Sequence, residues 1–441
     1  MRSFFLFICF FLLHTFLFSQ EIKKGDAYYY ARKIADTMAS ESMHGRGYVN
    51  DGDKIAANYI KTEYQKFGLK TFGKDYYQNL SFAINTFPKE APFLSTDYWG
   101  DAWEAGKNYL VSPGCPSITR QKNYEVVWFD STIASSPSQL KKFSQDKFSK
   151  KWIIIDAHGV TDKEELKQFA IMKTNPYKAY GIANVNDKKL TWDCSEMVDK
   201  FPSVELLITD SLRNKINKKQ KGYIAFEVKN VFLSNHQTQN VIGYVQGSTY
   251  PDSFIVFTAH YDHLGQMGND VYFPGANDNA SGCAMLLNLA KYYSMPEHKP
   301  KYSFAFIALC GEEVGLLGSK YYTEHPLFPL KQIKFLLNMD IMGTGEEGIT
   351  VVNGTVFKNE FNKLKQINAD NHFIKDVKIR GKAANSDHYY FSELGVHACF
   401  VYAMGGIKAY HDIYDKAETL PLNEFQNLFL LFTKFGDSLQ N

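Results

Sequence analysis

A chain of 441 residues that is 45% hydrophobic and 15% aromatic carries enough apolar material for a large core, and its length points to two domains. Its 49 Lys and Arg against 47 Asp and Glu leave a net charge of +2, which excludes the basic footprint of a nucleic-acid or anionic-membrane binder. Six cysteines over this length exclude a disulfide scaffold.

The chain opens with "MRSFFLFICFFLLHTFLFS", in which Arg2 precedes an apolar run of Phe and Leu. The run is short for a membrane span and reads as a secretory signal over residues 1–19. Export to the periplasm, the cell surface or the medium is the expected localisation, with no stable membrane insertion after cleavage. Cys9 would leave with the signal. Of the other cysteines, Cys283, Cys310 and Cys399 sit in apolar runs as small core residues, while Cys115 and Cys194, in loop-like sequence, form the one candidate pair.

Residues 26–69 read as two helices, "AYYYARKIADTMA" and "DKIAANYIKTEYQKFG", joined by the Gly-rich connection "SMHGRGYVN". Residues 100–231 read as a smaller inserted unit. It has strands in "YEVVWFD", "KWIIIDAHG" and "IANV", a helix in "DKEELKQFAIMKTNPYKAYG", Lys-rich connections, and no cluster of metal-type ligands. From about residue 240 short apolar strands ("NVIGYVQG", "SFIVFTAH", "YSFAFIALC", "IKFLLNMDIMG", "HACFVYAM") alternate with helices ("ASGCAMLLNLAKYY", "GLLGSKYYTEH"). That alternation predicts an α/β fold with a mainly parallel central sheet flanked by helices, built from residues 20–99 and 232–441, with a smaller α/β domain inserted.

The chemistry lies at the strand ends. "SFIVFTAHYDHLG" ends in His260 and Asp262, "GANDNASG" sets Asp278 before a helix, "CGEEVG" places Glu312 and Glu313 side by side, "FLLNMDIMG" ends in Asp340, and "KAYHDIYD" supplies His411. In a parallel sheet these ends converge on one edge. Adjacent buried glutamates repel unless a strong positive charge faces them. Imidazole and carboxylate without thiolate suit zinc, with manganese or cobalt also compatible. Two divalent cations balance three carboxylates and leave a small positive charge to hold a hydroxide. One glutamate then binds metal and its neighbour accepts a proton from water.

These motifs, with "SDHYYF", resemble the co-catalytic zinc peptidases, the family that includes aminopeptidase Y, glutamate carboxypeptidase and, more remotely, the glutaminyl cyclases. The likeness is weak over residues 26–80 and strong over residues 240–420. It implies a zinc exopeptidase fold and two Zn²⁺ per chain. His260 and Asp340 would hold one ion, Glu313 and His411 the other, and Asp278 would bridge both. By the same resemblance Asp262 is the acceptor that fixes the tautomer of His260. Glu312 would be the general base, taking a proton from a metal-bridging water and passing it to the leaving amine, and Tyr410 a donor to the oxyanion. "FAIMKTNPYKAYGIANVN" and "FPSVELLITDSL" loosely resemble a protease-associated domain, implying a role in substrate access and no catalytic group there. Peptides are the implied substrates and an aminopeptidase the implied activity, since no Arg cluster beside the ligand motifs, Arg380 being the nearest candidate, suggests capture of a C-terminal carboxylate. A carboxypeptidase or dipeptidase of the family, a glutaminyl cyclase acting as acyltransferase, and a non-catalytic binding protein are the rival readings.

Overall fold

The computed structural model describes residues 25–97, 103–119, 124–216, 218 and 221–440, so the expected signal segment, with Cys9, lies outside the described residues. Among the described residues no helix is long and apolar enough to cross a membrane.

Alternation of Leu80, Phe82 and Ile84 with small or polar residues makes β1, Tyr77–Thr86, a strand with one buried face. The chain then builds a separate sheet. Its strands are β2 (Phe93–Thr96), β3 (Tyr109–Val111), β4 (Tyr124–Asp130), β5 (Lys151–Asp156), β6 (Gly181–Asn186), β7 (Ser203–Leu207) and β8 (Tyr223–Glu227). They lie in the order β2-β8-β4-β5-β6-β7-β3, with β4 to β7 parallel. This sheet takes in β2, which precedes residue 100. Helix Lys163–Lys173, capped by Asp162 accepting from the Glu164 and Glu165 amides, packs Phe169 and Met172 on its outer face.

The chain returns through β9 (Val231–Val245), which pairs antiparallel with β1, and continues through β10 (Tyr250–His260), β11 (Tyr302–Leu309), β12 (Ile333–Met339), β13 (Ile349–Val352), β14 (Val377–Ile379) and β15 (Ala398–Ala403). The order β1-β9-β11-β10-β12-β15-β13-β14 puts four mutually parallel strands, β11-β10-β12-β15, at the centre. Such strands are buried on both faces and therefore read as unbroken apolar runs. Ile255, Phe257 and Ala259 of β10 face helices Asp26–Met38, Gly282–Ser294 and Phe425–Ser438, while Phe254 and Val256 face Tyr322 and Phe391 on the other side. Full burial of Leu428, Leu431, Phe432 and Phe435 contributes on the order of 6–12 kcal/mol, so the last helix is held by packing more than by propensity.

Cys115 and Cys194 do not pair; both thiols are free. Cys115 is buried in the core of the inserted sheet, and that burial pushes its thiol up to about 12. Leu264, Met267, Val271 and Phe273, from the connection that follows β10, belong to this same core. The inserted sheet is thus seated on the loop that carries Asp262.

Candidate metal centre

Parallel register brings the strand ends together. His260 is paired with Leu309 of β11, and Thr258 with Asn338 of β12. The chain beyond Leu309 turns sharply. Gly311 sits at φ +67°, where side chains are strained, and a Cβ on Gly318 would lie 2.0 Å from the Cys310 carbonyl. These two glycines let the turn fold back so that Glu312 and Glu313 point at the neighbouring strand ends.

His260 Nε2 lies 3.3 Å from Asp278 Oδ1 and 3.3 Å from Asp340 Oδ1. His411 Nε2 lies 3.3 Å from Asp278 Oδ2 and 3.1 Å from Glu313 Oε2. Asp278 therefore offers one oxygen to each of two histidines, and each histidine has a further carboxylate beside it. Glu312 joins His260 and Glu313 in a group whose ligand atoms all lie within 4.8 Å of one another. The structure thus brings together six of the seven residues marked at the strand ends: His260, Asp278, Glu312, Glu313, Asp340 and His411.

This arrangement fits divalent metal. Ligand atoms about 2 Å from a tetrahedral zinc lie about 3.3 Å from one another, close to the spacings found here. His260 Nε2 and Asp340 Oδ1 are buried and make no hydrogen bond. Buried polar atoms are ordinarily satisfied, so a convergent pair left open is suited to a cation.

The two glutamates differ sharply. Burial pushes the Glu312 carboxyl well above the ordinary range, and Glu313, Asp387 and Asp340 reinforce that against the pull of His260. Burial and Asp278 also act to raise Glu313, but His263 and His411 outweigh them and hold it at about 2. Divergent environments for neighbouring carboxylates are the usual basis of separate roles.

The Asp262 carboxylate does something other than contact the His260 ring. His260 Nδ1 is 3.2 Å from the Asp262 backbone carbonyl and 3.8 Å from the carboxylate, which is beyond hydrogen bonding. The main-chain oxygen holds the tautomer. The carboxylate instead accepts the Glu312 and Glu313 amides, at 3.3 Å each, and the Tyr48 hydroxyl at 2.7 Å. It fixes the backbone of the glutamate turn. Tyr410 lays its ring flat on His411, with centroids 3.9 Å apart. Arg380 is exposed and donates to the Tyr402 hydroxyl.

Four further residues shape the site. His263 Nδ1 is 2.6 Å from Glu313 Oε1. Asp415 accepts the Asn277 and Asp278 amides at 2.9 and 3.0 Å. Asp193, from the inserted stretch, lies 2.9 Å from His411 Nδ1. Arg46 is fully buried and donates to the carbonyls of Met38, Tyr261, Pro274, Gly275 and Asp278. His263 and Asp415 lie inside motifs already marked, "HYDHLG" and "YHDIYD". No local signal distinguishes Arg46, in a Gly-rich connection, or Asp193 from solvated charges.

Arg46 ties the loop after β10 to the loop before helix Gly282–Ser294, so its loss should loosen both. Arg46→Met is expected to cost about 3–5 kcal/mol, because several buried carbonyls lose their donor together. Arg46→Lys should recover only part of this, since an ammonium has three donors and no planar fork. Thermal unfolding of the two variants measures it; an unchanged melting temperature for Arg46→Met would contradict this role.

Residues 240–435 match the family described as Peptidase family M28. Among curated proteins, Aminopeptidase YwaD of Bacillus subtilis is 31% identical over 189 residues, 41% of this chain and 40% of that protein. A probable zinc metalloprotease of Pyrenophora teres f. teres is 36% identical over 113 residues, 25% of this chain and 23% of that protein. The matched stretches span less than half the length of these curated relatives. Among solved structures, that of BSAP, a zinc aminopeptidase from Bacillus subtilis, aligns with a TM-score of 0.65 at 18% identity, over 92% of this chain and 94% of that chain. The Peptidase M28 precursor from Shewanella amazonensis aligns with a TM-score of 0.66 at 17% identity, over 94% and 96%. At these identities the structural likeness establishes a common fold, and its coverage takes in most of the chain.

Proposed function

We propose that this chain, whose residues 240–435 match Peptidase family M28, is an exported zinc-dependent aminopeptidase that removes N-terminal residues from peptides. The observation that carries the reading is Asp278, whose two carboxylate oxygens face His260 and His411 separately. His260 and Asp340 would hold one zinc, Glu313 and His411 a second, and Asp278 both. Bound there, the ions would polarise the scissile carbonyl and make water a nucleophile near neutral pH.

The remaining work falls to side chains of this chain. Glu312, beside His260 and Glu313, accepts the proton of the attacking water and returns it to the leaving amine. Asp262 keeps that base in place through the amides of the glutamate turn. The Tyr410 hydroxyl donates to the oxyanion that develops on the carbonyl. The inserted sheet, expected over residues 100–231 but beginning with β2 at Phe93, is proposed to form a domain of protease-associated type. Export rests on the apolar run of residues 1–19 alone.

A panel of aminoacyl, dipeptidyl and C-terminally blocked reporters tests the reading on the purified, zinc-loaded chain. Release of single N-terminal residues is expected. Cleavage only from the C-terminus would assign a carboxypeptidase, and formation of pyroglutamate without free amino acids would assign a cyclase. Either result would overturn the proposal.

A further inference from the structure

The inserted stretch reaches the candidate metal centre through Asp193. After β6, residues Lys189 to Asp193 run alongside the loop that carries His411. The Trp192 amide donates to the His411 carbonyl at 2.8 Å, and Lys189 Nζ donates to the Lys408 and Tyr410 carbonyls at 3.3 Å each. Trp192 is itself anchored: its ring stacks on Phe273 at 4.8 Å and its Nε1 donates to the Val111 carbonyl at 2.7 Å. At the end of this clasp Asp193 Oδ1 meets His411 Nδ1 at 2.9 Å.

We propose that Asp193 is a positioning residue for His411, so that the inserted segment completes the second of the two metal-binding groups. The inference rests on the reading that His411 and Glu313 hold metal. An imidazole ligand must present a lone pair from one nitrogen, and the partner of the other nitrogen decides which. With Nδ1–H donated to Asp193, the lone pair sits on Nε2, the atom that faces Asp278 and Glu313. His260 obtains the same service from the carbonyl of Asp262, two residues away on its own loop. His411 gets it from a residue 218 positions distant.

The backbone shows why an outside partner is required. His411 adopts φ +53°, a left-handed conformation uncommon for a residue with a Cβ, which persists only when the surroundings hold it. The Trp192 amide and the Lys189 ammonium grip the chain on both sides of that strained position. The Asp193 side chain is 70% exposed, so an isolated ion pair there would contribute little. The clasp changes this by placing the carboxylate before metal arrives. The expectation that the inserted unit controls access alone is thereby extended: it also sets the geometry of a ligand.

Zinc affinity tests the proposal without relying on catalysis. The parent chain, Asp193→Ala and Asp193→Asn would be loaded with zinc and titrated against a chelator, with bound zinc counted at each step. The parent is expected to hold two ions. Asp193→Ala should hold one as the parent does and the other about 10–100-fold more weakly, the usual effect of losing a hydrogen-bond partner of a ligand. Asp193→Asn keeps an acceptor oxygen without the charge and should fall between. Turnover of Asp193→Ala should return toward the parent's when zinc saturates, with KM little changed. The near-isosteric Asn variant keeps the comparison available should the Ala variant fold poorly. Two ions held by both variants as tightly as by the parent would overturn this inference and leave the proposed function standing. A parent that holds no zinc would overturn both.

Discussion

Glu312→Gln is expected to keep its zinc while turnover falls roughly 10²- to 10⁴-fold, about 3–5 kcal/mol of barrier. Gln preserves the shape of the side chain and its hydrogen-bonding reach, but it cannot accept a proton. The loss should appear in kcat with little change in KM, since proton transfer is felt in the transition state and not in the bound substrate. Glu313→Gln should behave in the opposite order, losing zinc first and activity as a consequence, because Glu313 Oε2 faces His411 Nε2. Elemental analysis and steady-state kinetics separate the two outcomes. Loss of zinc from Glu312→Gln with retention by Glu313→Gln would reverse the assignment. No effect on metal or rate from either would return the pair to a structural turn.

Stripping the metal is expected to abolish hydrolysis and to lower the melting temperature, and zinc or cobalt should restore both. The cause is charge. Asp278, Glu312, Glu313 and Asp340 lie within a few ångströms around three histidines, His260, His263 and His411, and burial pushes Glu312 and Asp340 above their ordinary range. Without cations the site must take up protons or expand. A ligand at about 1,000 times its dissociation constant stabilises the native state by about 4 kcal/mol per site, so a melting shift of several degrees should accompany removal of two ions. Full activity in a thoroughly stripped sample would contradict the metal reading.

Much of the centre was legible because parallel strands announce themselves. Unbroken apolar runs ending in "AHYDH", "LCGEE" and "NMD" mark β10, β11 and β12, and their carboxyl ends must share an edge. The antiparallel flank was not legible in the same way. β1 does alternate, but its partner β9 lies across the whole inserted sheet, and pairing over that distance has no local signature. The roles of charged groups were the hardest to foresee. Arg46 and Asp193 look like solvated residues until tertiary contacts reveal five carbonyls around one and His411 beside the other. Asp262 shows the converse. Its position in the motif is informative, yet its carboxylate turns to the glutamate amides and Tyr48 while its main-chain oxygen meets His260.

The central claim is that Asp278 is shared between two metal ions, and anomalous scattering at the zinc edge from crystals of the zinc-loaded chain tests it most directly. Two peaks are expected, one beside His260 and Asp340 and one beside Glu313 and His411, with an oxygen of Asp278 against each. A single peak away from Asp278, or none, would contradict the account.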